Sequence, residues 1–129
     1  MIQSIFIINK EGETLASVNV GDFEADDALF GGFMSAIQSF SQKMAGDEIK
    51  GMEIGKYRLI IARVNENFLV TIHPQGDDNR RTDHHRLLEL CKDNEECFTD
   101  NDFIKELKEE AERPVTGADK ASEWAEKMF

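Results

Sequence analysis

The chain has 129 residues, 40% hydrophobic and 32% charged, a length and balance that fit one domain with a sizeable core and exclude a disordered or membrane-spanning protein. A formal charge of −11 repels nucleic acid and anionic lipid alike, so the composition points to a protein or small-molecule partner. Cys91 and Cys97 are the only cysteines and no secretory leader is legible, which sets the expectation of a reducing, cytoplasmic setting; no lipidation motif and no apolar run of about twenty residues is present, so no direct membrane insertion is expected.

SIFIINKEGETLASVNV begins as a strand apolar on both faces, with Ile5 and Ile7 on one side and Phe6 and Ile8 on the other. Such a strand belongs in the middle of a sheet. Asn9 to Glu13, with Gly12 free to take a positive φ, reads as a hairpin loop, and Ala16, Val18 and Val20 then alternate with Ser17 and Asn19 as a half-buried strand.

From Asp26 to Met44, Leu29, Phe33, Ala36, Ile37, Phe40 and Met44 recur at helical spacing, and Gly46 is a stop signal. This stripe is the expected core face. The Gly31 and Gly32 pair lies inside the helix, outside any phosphate-loop pattern, so its expected use is close approach of another backbone. Phe30 and Met34 are neighbours offset from the stripe and either widen the core or face a partner; the second reading is the working hypothesis.

Ile49 to Ile54, Tyr57 to Val64 and Phe68 to Ile72, separated by short turns, predict a three-stranded antiparallel meander. The first of these is short and carries Gly51, so Lys50 to Ile54 is expected to offer an open edge for another subunit's strand. Together with the helix it defines an expected protein interface of Phe30, Gly31, Met34, Lys50, Gly51, Met52 and Ile54.

Thr82 or Asp83 is the expected cap of a second helix with Leu87, Leu88 and Cys91 inward. Thr99 to Asp102 has capping-box spacing before Phe103, Ile104, Leu107 and Ala111, and Thr116 to Asp119 repeats it before Ala121, Trp124, Ala125 and Met128. Trp124 and Phe129 are read as satellite core contacts. The acidic run DFIKELKEEAER is read as a solvated helix face.

The order β-β-α-β-β-β-α-α, with a further C-terminal helix, predicts an α+β fold: a three-layer α-β-α sandwich around a five-stranded antiparallel sheet. One domain spans 1–129, with its core in 1–113 and a helical extension in 114–129. In this order of elements, SIFIINKEGETLASV, ALFGGFMSAIQSFSQKM and GMEIGKYRLIIARVNENFLVTIHP together resemble a longin-type domain from Met1 to about Arg113; the related roadblock domains differ in beginning with a helix. The resemblance implies a noncatalytic, dimerising scaffold in a small-GTPase or vesicle-traffic system. Its partners would be a second copy, a related longin or roadblock domain, or a small GTPase. A roadblock-like GTPase regulator is the neighbouring alternative.

The densest polar stretch, HPQGDDNRRTDHH, supports the alternative of another class, a small metal-dependent enzyme or ligand binder using His73, His84 and His85. Adjacent His84 and His85 diverge by about 100° on a helix and chelate poorly. No nucleophile elbow accompanies them, and Cys91 sits on an apolar stripe. Arg80, Arg81 and Arg86 near a helix start could attract an anion, but Asp77, Asp78 and Asp83 supply counter-charges. The expectation is a solvated connection and helix cap, with no catalytic residue, metal or cofactor.

Overall fold

The computed structural model describes residues 2–23 and 25–128, with side chains through Ala125. The elements are β1 (Ser4–Ile8), β2 (Thr14–Asn19), α1 (Asp27–Ala45), β3 (Gly51–Ile54), β4 (Tyr57–Val64), β5 (Asn67–Pro74), α2 (Arg80–Lys92), α3 (Asn101–Glu112) and α4 (Gly117–Met128). The five strands form one antiparallel sheet in the order β2-β1-β5-β4-β3. The predicted three-layer α+β sandwich is what the chain adopts.

Alternation sorts the strands' side chains onto two cores. Phe6, Ile8, Leu59, Ile61, Phe68, Val70 and Ile72 pack beneath Phe30 and Met34 of α1. On the other face Ile5, Ile7, Ala16, Val18 and Leu69 meet Leu87 and Cys91 of α2 and Phe103, Leu107 and Ala111 of α3. Every residue of β1 is buried, as expected of a strand apolar on both faces.

Local chemistry sets the boundaries. Asp26 caps α1 by accepting from the Leu29 N–H, and Gly46 ends it in the left-handed region at φ 74°. Gly55 (φ 57°) and Asn65 (φ 57°) turn the meander. Two expected caps are corrected. Asp100, not Thr99, caps α3 by accepting from Asp102 N–H. α2 starts at Arg80 with no side-chain cap, because Thr82 and Asp83 are buried in its first turns and bonded elsewhere. The Thr116 and Asp119 box forms reciprocally at the start of α4.

Candidate interaction surface and histidine cluster

The face of α1 turned to the sheet is rotated by about 100° from the one its strongest apolar stripe predicts. Phe30 and Met34 are 7% and 2% exposed, and Gly31 is buried with them. Leu29, Phe33, Phe40 and Met44 are 76%, 44%, 66% and 73% exposed. The expected interface residues Phe30, Gly31 and Met34 are therefore core residues, and of the expected core stripe Leu29, Phe33, Ala36, Phe40 and Met44 are exposed while Ile37 is half-buried.

Two contacts explain the choice. A Cβ on Gly31 would fall 2.3 Å from the Gly12 carbonyl oxygen, so the helix meets the β1–β2 hairpin where only glycine fits. Gly32 has open space instead. Two helical turns further along the same face, buried Gln38 donates its amide to the Ile49 carbonyl at 2.9 Å and accepts the Ile49 N–H at 2.7 Å. A polar side chain that satisfies both backbone groups of the connection outweighs an apolar one that would leave them unpaired. Nothing in the periodicity marks Gln38 for this role.

That bond pins the connection just ahead of β3. β3 is an outer strand, hydrogen-bonded among the described strands to β4 only. Lys50 is exposed, Gly51 and Met52 are half-buried, and Ile54 is 37% exposed. Four large apolar side chains on α1 and an open strand edge thus follow one another along the chain.

The histidine-rich stretch is not a solvated connection throughout. Gln75, Gly76 and Asp78 are exposed, but His73 at the end of β5 and Thr82, Asp83, His84 and Arg86 in α2 are buried. The Thr71 hydroxyl bridges His73 Nε2 at 2.8 Å and His84 Nδ1 at 2.6 Å. Burial pushes both imidazoles down, His73 to about 4 and His84 to about 3, so both are neutral at pH 7. His85 is half-buried and lines, with His84, the space beside α2.

Ligand atoms of His73, Asp77 and Asp83 lie within 4.8 Å of one another, and His73 Nδ1 has no hydrogen-bond partner among the described residues. Asp83 is already engaged. The buried Arg86 guanidinium donates to its carboxylate at 2.5 Å, to the Glu110 carboxylate at 3.1 Å, and to the carbonyls of Glu110 and Arg113. Burial nonetheless raises the Asp83 carboxyl above its usual value, with the guanidinium opposing the shift. A cation among these three side chains would have to compete with Arg86 for Asp83.

Neither thiol makes a nucleophile with these groups. Cys91 is buried, as expected of its stripe, and desolvation pushes its thiol up to about 12; Cys97 is exposed in the connection between α2 and α3. Trp124 is 65% exposed, correcting the expectation that it joins the core; the α4 residues with described contacts to the body are polar, Glu123 accepting from Thr82 and Asp119 from Arg113. Met128 and Phe129, named with it, lie outside the described side chains.

No helix among the described residues is long and apolar enough to cross a membrane. No protein-family model matches the chain, and no curated protein does. Among solved structures, Myxococcus xanthus MglB is similar to it at 19% identity and a TM-score of 0.45, over 84% of this chain and 79% of that one. At those values the likeness decides neither activity nor partner.

Proposed function

We propose that the protein is a noncatalytic interaction module of longin-like architecture that self-associates through α1 and β3. The supporting observations are the exposed apolar stripe of Leu29, Phe33, Phe40 and Met44 on α1 and the outer position of β3 in the sheet. Apolar surface of this kind is stabilised when another protein removes it from water, and the backbone groups of an edge strand are satisfied by a second strand. A second copy fits both demands. Two β3 strands paired antiparallel would be related by a two-fold axis, the commonest symmetry of a self-associating chain.

The resemblance of the sequence pattern to longin domains supports a place in a small-GTPase or vesicle-traffic system, with the paired surface presented to a further protein. The working interface is Leu29, Phe33, Phe40 and Met44 with Lys50, Gly51, Met52 and Ile54. Phe30, Gly31 and Met34 are excluded by burial.

Sedimentation equilibrium over a wide concentration range tests the reading. The native chain is expected to dimerise, and Phe33→Asp combined with Phe40→Asp to yield a folded monomer, since both side chains are exposed. A native chain that stays monomeric throughout, or a double variant that dimerises unchanged, would refute it.

A further inference from the structure

A cavity of about 460 Å³ opens between α2 and the β3 and β4 edge of the sheet, on the face opposite α1. The chain carries 26 acidic and 15 basic residues, yet Lys50, Arg58, Arg80 and Arg81 all line this cavity. Glu123 is the carboxylate in its wall, and it accepts the Thr82 hydroxyl. The local charge is opposite in sign to the molecule's.

These cations are poorly neutralised. The pair of Arg58 with Glu53 spans 3.5 Å and that of Lys50 with Asp47 spans 3.8 Å, both between substantially exposed side chains. Arg80 gives a hydrogen bond at 3.1 Å to the carbonyl of Asp77, and Arg81 is exposed with no ion pair among the described residues. Like charges gathered around one space repel, and an anion placed between them reverses that interaction.

The geometry also makes room for Arg58. A Cβ on Gly51 would sit 3.0 Å from its Nη2, so a larger residue there would crowd the guanidinium. Ile60 and Leu88 add apolar surface beside the charges. The volume lies within the range of small-molecule sites, and guanidinium forks match phosphate oxygens.

We propose that this cavity binds a small soluble phosphate ester, its phosphates held by Arg58, Arg80, Arg81 and Lys50 and its organic part set on Ile60 and Leu88. The site opens on the other face of the sheet from the α1 stripe but shares Lys50 and Gly51 with the β3 edge proposed for self-association, so the titrations are run on the native chain and on the Phe33→Asp, Phe40→Asp variant, and binding is expected in both.

Isothermal titration of the full chain with ADP and with pyrophosphate, at low and at moderate salt, tests it. Saturable binding is expected, weakened at least tenfold by Arg58→Gln with Arg81→Gln and left unchanged by Arg63→Gln, whose guanidinium pairs with Glu48 away from the cavity. Circular dichroism of each variant establishes that the fold is retained. No binding of either probe at millimolar concentration would overturn the proposal, as would equal weakening by Arg63→Gln. Binding to phosphatidylserine vesicles or to an acidic peptide, with no response to either soluble probe, would overturn it in favour of a membrane or protein ligand.

Discussion

Acid is expected to destabilise this protein steeply through two side chains. His73 and His84 are held near 4 and 3 by burial, whereas in the unfolded chain both return to about 6.5. Between about pH 6.5 and pH 4 the unfolded state therefore binds two protons that the folded state does not, and stability falls as pH falls. Each proton contributes about 1.4 kcal/mol per pH unit, so the pair contributes about 2.7 kcal/mol per unit in the fully developed window. From pH 6.5 to pH 5 the loss reaches about 3 to 4 kcal/mol, a large share of a typical domain's stability. The shrinking negative charge of the molecule acts in the opposite direction, so the histidine effect is isolated by substitution. His73→Gln with His84→Gln keeps an amide able to bond the Thr71 hydroxyl and removes both titrations. Urea unfolding across this range should show a slope flatter by about 2 to 3 kcal/mol per pH unit in the double variant. Identical slopes in the two proteins would refute the claim that these imidazoles are buried and neutral.

The glycine pair gives an internally controlled test. Gly31→Ala drives a Cβ into the Gly12 carbonyl and is expected to cost about 1 to 3 kcal/mol, whereas Gly32→Ala, with open space around it, should stabilise by up to about 1 kcal/mol; urea midpoints of the two variants should move in opposite directions. Arg86→Ala leaves the buried Asp83 without its guanidinium and frees the carbonyls of Glu110 and Arg113, so a loss of about 3 to 5 kcal/mol is expected. Thermal melts measure it, and a shift of under a degree or two would contradict the burial of this network.

Element order and the two-faced burial of β1 were legible because alternation, turn residues and helix stops all agree in the first 74 residues. The bounds of β4 coincide with the predicted strand. The orientation of α1 was not legible. Leu29, Phe33, Phe40 and Met44 make one apolar side and Phe30 and Met34 another, and periodicity cannot say which one a sheet will cover. The decision came from Gly31 against Gly12 and from Gln38 against Ile49, contacts between residues far apart in the chain. The same holds for HPQGDDNRRTDHH, where polar side chains look solvated until Thr71 and Arg86 bury and bond them. The cationic cavity joins residues from four separate segments, so Arg80 and Arg81 could be seen in the sequence while Lys50 and Arg58 could not be placed beside them.

The strand order has a consequence for synthesis. β1 emerges first, and Ser4 pairs with Asn19 on one side but with Ile72 on the other. Until β5 has been made, the growing chain holds a strand with one satisfied edge, one open edge, and apolar side chains on both faces. The hairpin of β1 and β2 is too small to shield itself. Nascent chains that stop short of Asn67 should therefore be sticky and hard to recover in soluble form, and the addition of β5 should mark an abrupt gain in protease resistance, because it closes the centre of the sheet in one step.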